Sequence, residues 1–165
     1  FINKGSDNKQ MEIKGYNKTH YQSCLDIFNS NTPAYFAADE VQGLEVWLAG
    51  QGEGRLAYKN TGAEHFYVIE HNGKVVGCGG FYILRDADTA NMVWGMVHND
   101  YHKQGFGKKL FEYRVGQIKT KYPGHNIILD TTQHAYGFFE KLGFTTIQVR
   151  KDFYDMGLDR YDMVN

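Results

Sequence analysis

From Met11 the chain alternates apolar and polar positions through MEIKGY, which predicts a short strand ending at Tyr16. Thr19 then stands where a helix cap belongs, ahead of HYQSCLDIFNSN, and Tyr21, Leu25 and Phe28 fall on one helical face. Pro33 closes that segment, and FAADEVQGLEVWLAG repeats the helical period with Phe36, Val41, Leu44, Trp47 and Leu48 on one side. The glycine-bearing stretch GQGEGRLAYKNTGAE reads as a loop. Beyond it, FYVIEH and KVVGCGGFYIL flank an Asn72-Gly73 pair, the pattern of two antiparallel strands joined by a tight turn. After the polar break RDADT, ANMVWGMV is apolar enough to be a central strand.

The second half changes rhythm. KKLFEYRVGQIKTKY places Leu110, Phe111, Val115 and Ile118 on a helical face, and Pro123-Gly124 ends it. NIILD is nearly all apolar, as expected of a strand that reaches a parallel neighbour through the preceding helix. HAYGFFEKLG predicts a short helix stopped at Gly143, and FTTIQVR and RYDMV read as closing strands. The order predicts an α/β (α+β) fold: a mixed, mostly antiparallel sheet of six to seven strands flanked by about four helices. No repeat and no second domain is visible between residues 11 and 165, and residues 1–10 read as a flexible leader or a cloning remnant.

Composition narrows the chemistry. A net charge of −1 over 165 residues supplies no basic field for nucleic acid, and no Lys/Arg-rich block suggests a membrane surface. Cys24 and Cys78 are too far apart for a CxxC site, so neither a disulfide framework nor a cysteine metal site is expected, and a reducing cytoplasm suits the chain. Twelve Tyr, eleven Phe and two Trp exceed the needs of one core, which predicts aromatic walls on a groove or an interface. Whether the chain is a monomer or a homodimer stays open.

VWGMVHNDYHKQGFGKKL contains a strand, a turn with Gly105 and Gly107, and a helix carrying Lys108 and Lys109 in its first turn. Such a junction aims unpaired backbone N–H groups and the positive helix end at one point, where a diphosphate can sit. A plain tight turn is the alternative from spacing alone. Two other phosphate loops fit badly. GxGxxG needs a glycine where Leu110 stands, and the Walker pattern needs glycine at His102 and a hydroxyl at Lys109.

His102-Lys103-Gln104-Gly105-Phe106-Gly107 resembles the acetyl-CoA loop of the GNAT superfamily of N-acetyltransferases, in which Arg or Gln opens a run ending in Gly, any residue, and Gly or Ala. Downstream, AYGFFEKLGF (Ala135 to Phe144) resembles the family's second cofactor segment, AxxFYEKLGF. The resemblance spans nearly all of residues 11–164. It implies an acetyl-CoA-dependent N-acyltransferase acting on a primary amine of a small molecule or peptide by direct attack in a ternary complex. It further implies that Met96 and Val97 pair with the pantetheine arm like an added strand. His102, Lys103, Gln104, Gly105, Phe106, Gly107 and Lys108 would hold the pyrophosphate, with Thr132 and Phe139 also beside the cofactor. No metal is implied.

Four positions depart from the family pattern. His102 replaces Arg or Gln. Phe139 replaces a tyrosine that protonates the departing thiolate, which leaves Tyr136, His134 or water for that proton, or leaves Tyr136 as packing and His134 as a cap. ANMVWGMV has no acidic residue to act as base, so Glu70, Asp130 and His98 remain, acting through water. Thr132 stands where relatives often have Asn. The acceptor pocket implied by the fold would be walled by Tyr35, Phe36, Trp47, Tyr82, Trp94 and Tyr154, with Glu40 or Asp39 nearby, and core packing is the alternative for each wall residue. A non-catalytic acyl-CoA-binding module is the competing reading.

Overall fold

The computed structural model describes residues 10–165, so the expected leader lies, apart from Gln10, outside the described residues. Seven strands form one sheet: β1 (Met11–Gly15), β2 (Thr61–His71), β3 (Lys74–Leu84), β4 (Thr89–Val97), β5 (Asn126–Thr131), β6 (Thr145–Asp155) and β7 (Leu158–Val164). Their spatial order is β1-β2-β3-β4-β5-β7-β6. Four α-helices accompany them: α1 (Tyr21–Ser30), α2 (Val41–Glu53), α3 (Phe106–Lys121) and α4 (Tyr136–Lys141).

The β2–β3 hairpin turns at Asn72 and Gly73, both at positive φ (51° and 77°), as the Asn-Gly pair predicts. Strands β1 to β4 are antiparallel; β4 and β5 are parallel, and β5, β7 and β6 are again antiparallel. Side-chain alternation divides β2 between two cores. Phe66 and Val68 face α1 and α2, where Ile27, Phe28, Leu44, Trp47 and Leu48 are buried. Tyr67 and Ile69 face α3, with Leu110, Phe111 and Ile118. Both faces are covered, so β3 and β4 read as almost continuous apolar runs.

Several sequence expectations are corrected at element ends. Thr19 is not the cap: a 3₁₀ turn at Lys18–His20 precedes α1, and the Asn17 side-chain oxygen accepts from the Thr19 amide at 2.9 Å. Helix α2 runs through the expected loop to Glu53 and stops at Gly54, a left-handed C-cap. Gly50 keeps that last turn close-packed, since a Cβ there would lie 2.9 Å from the Ala57 methyl carbon. Strand β2 starts five residues before Phe66, and β6 continues to Asp155, where a turn at Met156-Gly157 pairs it with Leu158.

Candidate active site at the splayed strands

Parallel pairing between β4 and β5 covers three positions only, from Thr89 with Asn126 to Asn91 with Ile128. Beyond them the two strands part, and a cavity of about 750 Å³ opens between Val93–Val97 on one side and Leu129–Thr132 on the other. A bulge shapes the β4 wall. Cys78 faces Met96 and Gly80 faces Val93, so Trp94 and Gly95 together oppose Gly79, and Trp94 holds a φ of 52°.

One end of the cavity is the loop into α3. Gly105 is the N-cap at φ 87°, and the first intrahelical bond runs from the Lys109 amide to the Gly105 carbonyl (3.1 Å). The amides of Phe106, Gly107 and Lys108 precede that bond and have no helical acceptor. Lys103 is also left-handed, at 62°. Lys103, Gly105, Phe106, Gly107 and Lys108 all line the cavity, whereas the Gln104 side chain turns back to the Asp100 carbonyl (3.4 Å). Gly107 has an ordinary helical backbone, and a Cβ there would meet only Val97 Cγ2 at 3.6 Å. The two glycines therefore differ: conformation requires the first, while the second leaves room.

His102 lines the cavity, but its ring is already engaged. Nε2 lies 2.8 Å from the Val97 carbonyl and, against a carbonyl, must be the protonated donor; Asn31 donates to the same oxygen at 2.9 Å. The imidazole thus ties the loop to the end of β4, and the Val97 carbonyl, expected to be open for a ligand, is occupied. Thr132 is buried and holds the turn that leads into α4: its Oγ1 accepts from the His134 amide (3.2 Å) and its carbonyl from the Ala135 and Tyr136 amides.

Of the two candidate proton donors, only His134 reaches the cavity, edge-on to Tyr35 at 6.1 Å. Tyr136 is stacked flat on Tyr161 (4.4 Å, 10°) and is not part of the wall, because it faces β7 while Phe138 and Phe139 face the opening. Phe139 packs against Phe111 and Phe138 at 5.4 and 5.1 Å, an apolar surround. The expected aromatic wall divides similarly. Tyr35, Phe36, Trp94 and Tyr154 line the cavity, with Phe36 stacked on Trp94. Tyr82 does not: it sits behind the wall between Tyr58 and the fully buried Trp47, and its phenol oxygen accepts from Asn91 at 3.0 Å.

Acidity enters from outside β4. Glu40 and Asp130 line the same cavity. Burial raises the Glu40 carboxyl, the Ala37 amide donating to it at 2.7 Å opposes that rise, and the charges of Asp130 and Asp39 add to it. Tyr154 donates a short hydrogen bond to Asp130, and burial with that carboxylate drives its phenol far above the usual range. Arg160 lies 3.8 Å from the other Asp130 oxygen. Glu70 is bound to Lys14 (3.0 Å) on β1 and β2, and His98 accepts from the Asp100 amide; neither lines the cavity. Sequence reasoning passed over Asn31 and Arg114, both on the cavity wall. The signal for Arg114 was present: it is the one charge on the apolar stripe between Leu110 and Ile118.

An acetyltransferase (GNAT) domain model matches residues 62–146, about half of the chain, from β2 through the start of β6. The chain belongs to the GNAT acetyltransferase family. The amino-acid acetyltransferase of Vibrio atlanticus is 30% identical over 84 residues, 51% of this chain and 18% of that protein. The chain spans about a fifth of the length of such relatives. Among solved structures, the ribosomal-protein-S18-alanine N-acetyltransferase of Escherichia coli superposes with a TM-score of 0.71 at 18% identity, covering 93% of this chain and 92% of that one. A GCN5-related N-acetyltransferase from Kribbella flavida gives 0.74 at 15% identity, covering 96% and 99%. These likenesses establish the GNAT fold for the described residues.

Proposed function

We propose that this chain moves an acetyl group from acetyl-CoA to a primary amine of a small molecule or peptide, the amine attacking directly while both partners are bound. The observation that carries this is the two-ended cleft: free helix-start amides at one end and a paired-carboxylate, aromatic pocket at the other. The residues fit acetyl-CoA. The amides of 106–108, the left-handed Gly105 and the cations Lys103 and Lys108 suit a diphosphate, and the opened edge of β4 from Val93 to Met96 suits an extended amide-bearing arm. Bound there, the cofactor supplies the activated acetyl group.

The chain's own residues supply attraction, orientation and proton removal. Glu40 and Asp130 favour a cationic amine, and Trp94, Phe36 and Tyr35 offer ring faces to it and to an apolar body. Glu40 is the stronger base of an ordinary pair because burial raises it, so it takes the ammonium proton more readily than an exposed carboxylate would. Asp130 is held in position by Tyr154 and Arg160. Placing the amine within about 3 Å of its target is the larger contribution to rate. The relatives' names, amino-acid acetyltransferase and ribosomal-protein-alanine N-acetyltransferase, support an amine acceptor.

A second reading, a non-catalytic acyl-CoA-binding module, is favoured by Phe139 and by the outward stacking of Tyr136, which leave no phenol on the thiolate side. The experiment that separates the two is release of free CoA from acetyl-CoA, followed with a thiol reagent across amines, polyamines, aminoglycosides and N-terminal peptides. Amine-dependent release supports transfer and names the acceptor class. Tight acetyl-CoA binding with no release across the panel supports the binding module.

A further inference from the structure

Arg114 projects from the middle of α3 into the sheet and is 4% exposed. Two glycines make the space and a third supplies an acceptor. A Cβ on Gly79 would lie 2.9 Å from its Cζ, one on Gly95 would lie 2.8 Å from its Nη2, and Gly80 offers its carbonyl to Nη1 at 3.1 Å. That carbonyl is its one hydrogen-bond acceptor among the described residues; Nε is buried with none, and no carboxylate pairs with it. The ionisable group coupled to it is Cys78 on β3, a thiol kept un-ionised by burial and by Cys24 beside it, so it is no counter-charge. Burial lowers the guanidinium to about 10, which still leaves it cationic at neutral pH. A buried cation without a counter-ion is costly, which calls for a reason to keep it.

Arg114 also lines the cavity: its guanidinium lies against Gly95 of the bulge and 5.7 Å from the Phe111 ring centre, and Met92, Leu129 and Phe139 line the same cavity. Val97 ends β4 beside the diphosphate loop, and the bulge lies three residues back, roughly 10 Å along the strand. An arm running down the opened edge of β4 from that loop therefore brings its sulfur toward the bulge. Resting on the proposed acetyl transfer, we infer that Arg114 supplies the fixed positive charge that stabilises the CoA thiolate as it leaves, in a cleft whose wall carries Phe139 in place of a phenol. In the step, the amine nitrogen bonds the acetyl carbon and the carbon–sulfur bond breaks. Its electron pair departs on sulfur, and the ammonium proton passes to Glu40 or Asp130. The thiolate appears only as the reaction proceeds, so the guanidinium favours the transition state over the neutral thioester. Without it, an anion among Met92, Phe111, Leu129 and Phe139 would be poorly solvated.

The other ionisable groups on the cleft are Lys103, Lys108, His102 and Tyr101 at the diphosphate end, Lys141 on α4 with His134 just before that helix, Tyr35 against His102 and His134, and Glu40, Asp130 and Tyr154 at the acceptor end. The test is the ionisation of free CoA bound to the protein, read from the ultraviolet absorbance of its thiolate as pH is raised, with desulfo-CoA affinity measured alongside. In the native protein the bound thiol should ionise at least about one pH unit below free CoA, a tenfold preference for thiolate over thiol. Arg114→Met should erase that preference while binding desulfo-CoA as before, and Arg114→Lys should keep part of it. A native protein that binds CoA with an unshifted thiol overturns the inference, and does so even if Arg114→Met fails to fold. So does an Arg114→Met protein that retains the shift. A native protein that binds neither CoA nor desulfo-CoA overturns the acetyl-CoA reading of the cleft, and the role of Arg114 falls with it.

Discussion

Gly105 holds a φ of 87° at the start of α3, a conformation that costs an L side chain roughly 1–2 kcal/mol, while Gly107 is helical with only Val97 near its missing Cβ. Gly105→Val should therefore lose stability by about that amount and weaken CoA binding at least about tenfold in a calorimetric titration. Gly107→Ala should leave stability equal or slightly higher, as an alanine replacing a helical glycine, yet still weaken CoA by filling the cavity edge. Glu40 is the pH-sensitive residue. Its folded carboxyl titrates above its unfolded value, so the ionised form is destabilising at neutral pH and the penalty fades as pH falls through the raised value toward the ordinary one. Glu40→Gln, which keeps an oxygen for the Ala37 amide, should unfold at higher urea than the native chain near neutrality and at the same urea in acid. In kinetics the native protein should lose activity as acid protonates Glu40, and the variant should start low and lack that limb. Phe139→Tyr tests the missing phenol: if Arg114 handles the thiolate, the added hydroxyl should change the rate by less than about tenfold, against the ~10²–10⁴ that a required acid is worth. Loop glycines and Phe139 were readable from the sequence because motif spacing fixes them. The difference between the two glycines, and the tie between the His102 ring and Val97, were not, because both depend on backbone angles and on a contact across five residues.

At the scale of elements, the bulge in β4 does most to form the site. It turns Trp94 into the cavity and, with Gly79 and Gly95, opens the space that Arg114 fills. Nothing in ANMVWGMV marks a bulge, since a tryptophan at positive φ runs against local preference and is held by its neighbours: Phe36 stacks on the indole and Tyr58 accepts from its nitrogen at 3.1 Å. Gly80 is the tightest point beside it, where a Cβ would collide with the His65 carbonyl. Gly80→Ala should destabilise the fold by about 2 kcal/mol or more, measured by urea unfolding, and reduce CoA affinity by shifting β3. The parallel pairing of β5 with β4 was legible, because an apolar strand after an amphipathic helix implies a crossover. The true length of α2 was not. Glycines at 50, 52 and 54 disguise a helix whose last turn is held by the packing of Gly50 on Ala57.

The whole molecule is a sheet with both faces covered, parted at its centre so that one cleft meets a diphosphate-suited helix start, a buried cation and a paired-carboxylate pocket. Hydrophobic period predicted the layers where an element buries a regular stripe, as β2, β3, β4, α1, α2 and α3 do, while β1, β6 and α4 bury no residue fully. The aromatic lining of the cleft was legible only in part. Tyr35, Phe36, Trp94 and Glu40 reach the cleft, and Tyr82 does not, because its hydrogen bond from Asn91 and its contacts with Tyr58 and Trp47 hold it in the core. Asp130, Tyr154 and Arg160 come from three different strands, and no sequence spacing brings them together. The central claim is acetyl transfer to an amine, and its most direct test is acetyl-CoA labelled in the acetyl group, incubated with the protein and a mixture of primary amines, with products resolved by mass. The account predicts a labelled amide that forms in step with free CoA and diminishes with Glu40→Gln. Retained acetyl-CoA binding without a labelled amide from any amine would contradict it.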